Sequence, residues 1–128
     1  MKLYSKIYGD NLQDLIIIHG LFGMSDNWNT LGKQFSKYCR VHLIDLRNHG
    51  RSPHSDSFNY EVMCLDVLEY MQDNNIENPI ILGHSLGGKV AMKFAFLYPG
   101  KMNKLIVADI SPRKSKEDMV ACAASRLV

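Results

Sequence analysis

No uninterrupted apolar run in this sequence approaches the roughly 18 residues that a membrane-spanning helix needs; stretches such as Leu15 to Ile18 stop after a few positions. The amino-terminal MKLYSKIYGD holds no apolar segment that could act as a secretory core and is not rich in Arg and Ser like a transit peptide, so a cytoplasmic location is expected. Excess charge of one sign is also missing. Lys and Arg number 15 against 13 Asp and Glu, and the net charge of +2 is too small to argue for a nucleic-acid or anionic-membrane partner. Cysteine is sparse: Cys39, Cys64 and Cys122 are odd in number and show no C-x-x-C spacing, which argues against a disulfide framework or a zinc site and leaves small core residues. Repeats, low-complexity tracts and linkers are absent as well. The 128 residues, 46% hydrophobic, therefore read as about one globular domain.

Four short apolar runs, Asp14 to Ile18, Val41 to Leu46, Pro79 to Leu82 and Leu105 to Ile110, have the length and composition of strands, and Leu3 to Tyr8 alternates like an edge strand. Helical spacing fills the intervals. Trp28, Leu31, Phe35 and Tyr38 recur at helical positions, with Ser25 or Asp26 placed to cap the start. From Tyr60 to Met71 the acidic residues Glu61, Asp66, Glu69 and Asp73 gather toward one side, with Val62, Met63, Leu65 and Leu68 on the other. A third helix is expected from Gly88 to Tyr98, stopped by Pro99-Gly100, and Ser115 to Val128 could form a fourth. Alternating strands and helices predict an α/β fold: a mostly parallel sheet with helices on both faces and its working residues at the carboxyl ends of the strands.

One such end is PIILGHSLGGKV, residues 79–90, where an apolar run stops at a glycine-rich corner. Two chemistries use such a corner. Gly83, Gly88 and Lys89 meet most of the P-loop pattern G-x-x-x-x-G-K-[ST], but the hydroxyl that would hold Mg²⁺ is replaced by Val90. Gly83, Ser85 and Gly87 meet all of G-x-S-x-G, in which small residues two before and two after let the chain turn sharply and lift the serine hydroxyl clear of the sheet. That reading also needs amide donors for an oxyanion. Leu86 follows the serine, and the turn His19-Gly20-Leu21-Phe22-Gly23 after an earlier strand offers Leu21 first and Phe22 second.

Four segments in order, IIIHGLFG, LIDLRNHGRS, GHSLGGKVAM and VADISP, make the chain resemble the amino-terminal part of an α/β-hydrolase fold protein of the small serine esterase type. The resemblance implies hydrolysis of carboxylic esters or thioesters through an acyl-serine intermediate, without metal or organic cofactor. It implies Ser85 as nucleophile and the Leu21 and Leu86 amides as oxyanion donors. Asp45, Arg47, His49 and Ser52 fall in what looks like the family's structural turn, where holding the fold is the expected role.

A serine needs an imidazole to take its proton and a carboxylate to orient that imidazole. Asp109 ends the run KLIVAD, 24 residues after Ser85, and is either the acid or a cap on the turn into Ser111-Pro112. In this fold the base follows the acid, yet no histidine follows His84. Of the earlier ones, His19 and His84 suit packing, His42 falls in a strand, and His49 and His54 occupy loops. The expectation is therefore of an incomplete chain, with residues 1–111 as the amino-terminal part of the hydrolase core, ending after about the sixth strand, and 112–128 as the start of a cap. Two alternatives accompany the esterase reading: a catalytically inert fragment without its base and, remotely, a P-loop nucleotide-binding protein. The strand ending at Asp109 would be an open apolar edge prone to self-association.

Overall fold

The computed structural model describes the backbone of residues 1–109 and 120–125 and the side chains of residues 1–108. Six strands form one sheet: β1 (Ser5–Tyr8), β2 (Asp14–Ile18), β3 (Arg40–Ile44), β4 (Ile80–His84), β5 (Lys104–Asp109) and β6 (Val120–Ser125), in the order β1-β3-β2-β4-β5-β6. Strands β3, β2, β4 and β5 run parallel, whereas β1 and β6 pair antiparallel at the two ends. The mostly parallel α/β architecture expected from the sequence is present, with β1 at the edge.

Three helices cover this sheet: α1 (Asn29–Phe35), α2 (Tyr60–Asp73) and α3 (Leu86–Leu97). Side chains on a strand alternate between faces, and here both faces are covered. Ile16, Ile18, Ile44 and Leu46 pack with α2 and α3 through Met63, Val67, Val90 and Phe94. Leu15, Ile17, Val41 and Leu43 pack on the opposite face, the α1 side, with Trp28 and Phe35. Strands buried on both sides have no polar side to alternate with, which is why their sequences are continuous apolar runs.

Four local expectations need correction. The first helix is shorter than its spacing suggests: a 3-10 turn, Ser25–Trp28, precedes α1, which ends at Phe35. Neither expected cap serves as one: the N-cap positions fall on Met24 and Trp28, the Ser25 hydroxyl is buried without a partner among the described residues, and Asp26 pairs with Lys6. In α2 the acidic and apolar sides are not as expected. Asp66 is buried and Leu65 is 53% exposed, because Arg47 reaches under the helix and grips Asp66 through two bonds of 2.7 and 2.9 Å. Over residues 120–125 the tail is strand β6 rather than helix, and it pairs along the edge of β5 that was expected to be open. Residues 110–119 and 126–128, which hold the expected start of a cap, lie outside the described residues. Among the described residues no helix is long and apolar enough to cross a membrane.

Candidate active site

Strand β4 ends at His84 and α3 begins at Leu86, so one residue, Ser85, makes the turn between them. Its backbone sits at φ 55°, ψ −115°. Such a conformation costs a non-glycine residue about 1–3 kcal/mol and persists only where the surroundings over-determine it. Here they do. Ser85 N–H donates to the Ala108 carbonyl of β5 at 3.2 Å, and its own carbonyl accepts Lys89 N–H at 3.1 Å to close the first turn of α3. The flanking glycines allow three backbones to converge: a Cβ on Gly83 would fall 2.2 Å from the Gly87 carbonyl oxygen, and one on Gly87 would fall 2.1 Å from that of Ile18. The strand and helix can meet only without side chains at these two positions, and the consequence is that Ser85 stands exposed at the carboxyl end of the sheet.

The turn after β2 lies beside it. Gly23 N–H donates to the Gly20 carbonyl at 2.9 Å and closes the turn, with Phe22 at φ 60° on its outer side. Phe22 N–H is already engaged, donating to His49 Nε2 at 3.2 Å. Among the described residues the Leu21 and Leu86 amides have no protein acceptor. Leu21 and Leu86, with Ser85, Lys89, Tyr60 and Met92, line one cleft of about 450 Å³. The structure therefore brings Ser85, Leu21 and Leu86 to one cleft, while the Phe22 amide is engaged by His49.

Asp109 is the last residue of β5. Since Ala108 lies opposite His84 in the parallel register, the Asp109 backbone stands level with Ser85 at the same edge.

The histidines have other work. His19 is buried; Leu46 N–H donates to its Nε2 at 3.0 Å and its Nδ1 meets the Gly20 carbonyl at 2.7 Å. Burial pushes its pKa below the ordinary 6.5. His49 places Nδ1 2.9 Å from the Arg47 carbonyl, so its partners assign the proton to Nδ1 and leave Nε2 as acceptor for Phe22. His42 sits in mid-strand between Asp14 and Tyr70, 2.8 Å from each, and burial lowers its pKa too. The His84 ring packs edge-on against Trp28 at 5.7 Å and faces a neighbouring cleft, and His54 is exposed. No histidine lines the Ser85 cleft among the described residues.

The turn Asp45 to Ser52 braces this arrangement. Asp45 accepts the amides of Ser25 and Arg51 at 2.6 and 2.9 Å, and Ser52 Oγ donates to the Asp45 carbonyl at 2.5 Å while accepting Tyr4 N–H at 2.9 Å. Sequence reasoning assigned these residues to fold-holding, but missed that His49 reaches across to fix the Phe22 amide. Among the described residues no group of three His, Cys, Asp or Glu side chains converges to hold a metal.

The P-loop alternative fails on geometry. Positions 86–89 are already helical and Gly83 is within β4, so no multi-residue loop exists to wrap a phosphate. The profile of the alpha/beta hydrolase fold family matches residues 15–125. The chain belongs to the alpha/beta hydrolase fold family. Relatives agree. A Haemophilus influenzae protein carrying an esterase/lipase name is 47% identical over 102 residues, covering 80% of this chain and 36% of its own. The sn-1-specific diacylglycerol lipase of Mus musculus is 39% identical over 112 residues, covering 85% of this chain and 36% of its own. Among solved structures, a marine microorganism esterase superposes with a TM-score of 0.83 at 47% identity, over 90% of this chain and 44% of that one. This alpha/beta hydrolase chain thus spans about two-fifths of the length of the relatives it matches.

Proposed function

We propose that the protein is a serine hydrolase acting on carboxylic esters or thioesters through an acyl-serine intermediate. The observation that carries this reading is the exposed Ser85, held at φ 55° between β4 and α3 in one cleft with Leu21 and Leu86. In the proposed reaction Ser85 Oγ attacks the substrate carbonyl carbon, and the Leu21 and Leu86 amides donate to the oxygen as it becomes negative. Preorganised donors of this kind contribute about 10²–10³ in rate each. Tyr60, Met92 and Val107 give the acyl group an apolar wall. Asp109, level with Ser85, is the proposed acid. Residues 1–111 are the amino-terminal part of the hydrolase core, and a cap begins within 112–128, the span that also supplies β6 (Val120–Ser125) along β5.

The names of the relatives support ester chemistry. Attack by Ser85 Oγ needs a base to take its proton, collapse of the tetrahedral intermediate needs that proton returned to the leaving alcohol or thiol, and hydrolysis of the acyl-serine needs the base again; none of the five histidines lies in this cleft. That observation favours the second reading, a chain inert by itself. Loss of a triad histidine costs about 10⁶ in kcat, while oxyanion donors and binding alone retain about 10³–10⁴ over water.

Treatment with a fluorophosphonate probe separates the two. The hydrolase reading predicts labelling that disappears in Ser85→Ala. A native chain that stays unlabelled favours inertness.

A further inference from the structure

The lysine that gave the sequence its P-loop likeness has no part in the chemistry above, yet it occupies the same cleft. Lys89 lies four residues after Ser85, and its N–H donates to the Ser85 carbonyl at 3.1 Å. Ser85 stands at the N-cap of α3 and Lys89 is the fourth residue of the helix, about one turn further on. Lys89 lines the cleft alongside Leu21, Tyr60, Leu86 and Met92 and is the one charged residue of that lining among the described residues. On α2, Glu61 is directed to Lys93 at 3.5 Å, and no described carboxylate lies within 4.0 Å of the Lys89 ammonium. The amino terminus of the 12-residue α3 opens into the same space, and its dipole adds positive potential. Apart from the proposed acid Asp109, whose side chain lies outside the described residues, the cleft is mostly apolar, so a cation one turn from the reacting hydroxyl discriminates among substrates by charge.

We propose that Lys89 is a specificity-determining residue that makes the Ser85 cleft prefer esters or thioesters bearing an anionic group, carboxylate or phosphate, about one helical turn from the reacting carbonyl. This rests on the assignment of Ser85 as the reacting residue, but the preference is a property of binding and is measurable without turnover. Lys89 is exposed, so the pairing strengthens binding by about fivefold rather than by orders of magnitude.

The test uses the full 128-residue chain and three ketones that place a carbonyl where the ester would lie but cannot be hydrolysed: levulinate, acetonylphosphonate and neutral 2,5-hexanedione. Affinity is read from the amide chemical shifts of residues 85–89. The expected result is tighter binding of one or both anions than of the dione by about fivefold at low salt, a gap that narrows as salt is added. Lys89→Gln abolishes the gap and Lys89→Arg retains it. The carboxylate and phosphonate arms reveal which anion is preferred. Equal affinity for all three, a charge preference that survives Lys89→Gln, or no saturable shift with any ligand overturns the proposal. A chain that shows the preference yet resists fluorophosphonate refutes its activity as a hydrolase and leaves the charge selectivity standing.

Discussion

Replacing Gly87 by Ala tests the geometry that creates the Ser85 turn. In most helices this change is stabilising, because alanine exceeds glycine in helix propensity by about 1 kcal/mol. At position 87 the added methyl would meet the Ile18 carbonyl oxygen at 2.1 Å and the His19 carbonyl oxygen at 2.5 Å, against an ordinary contact beginning at 3.4 Å. Both obstacles are backbone at the end of β2, so α3 must retreat by more than 1 Å. Overpacking of this kind costs about 1–3 kcal/mol where side chains can yield, and more where they cannot. After the propensity gain, the expected net loss is about 2 kcal/mol, or about 6–10 °C in Tm for a domain of this size. Gly88 is the milder case for comparison: its methyl would meet Val107 Cγ1 at 2.9 Å and the Gly83 carbonyl oxygen at 3.2 Å, so Gly88→Ala should cost less than Gly87→Ala, about 1 kcal/mol. Thermal unfolding followed by circular dichroism reads both. A Gly87→Ala protein at least as stable as the native one, or a Gly88→Ala protein that suffers more, would refute the claim that backbone convergence makes the turn.

Arg47→Ala leaves Asp66 buried, with only the Met1 amine at 3.4 Å as a countercharge. A loss of about 3–5 kcal/mol in urea unfolding is expected, whereas replacing both partners by Met and Leu should recover most of it; equal damage from single and double variants would contradict this. The buried His19 and His42 imidazoles, whose folded pKa values burial holds below 6.5, make stability depend on pH. A depressed folded value means that the unfolded chain binds the proton first. Stability is thus complete above pH 6.5 and falls as pH drops below it, with a slope of at most about 1.4 kcal/mol per pH unit for each group. Denaturation midpoints measured down to pH 5 should show that fall, and His42→Gln should flatten the curve; a native protein that gains stability on acidification would exclude it.

The strands were legible because burial on both faces leaves its mark as unbroken apolar runs such as Leu15 to Ile18. The turn at Ser85 was legible for a similar reason, since only glycine fits at Gly83 and Gly87. Where a polar side chain is buried by a distant partner, local pattern misleads. Asp66 counted as an exposed acid because nothing within α2 reveals Arg47, which lies 19 residues earlier. Likewise, capping rules placed Ser25 or Asp26 at a helix start, while the Ser25 hydroxyl is buried without a partner among the described residues and the Asp26 carboxylate pairs with Lys6. The tail has small residues, VACAAS, compatible with helix or strand; pairing along β5 decides for strand. The coupling of His49 to the Phe22 amide spans 27 residues and has no local signature at all.

The most direct test of the proposed chemistry is the structure of the protein after reaction with a fluorophosphonate. The account predicts a single adduct on Ser85 Oγ, with the phosphoryl oxygen about 2.7–3.1 Å from both the Leu21 and Leu86 amide nitrogens. An adduct on another residue, or an oxygen turned to solvent with those amides unengaged, would contradict it.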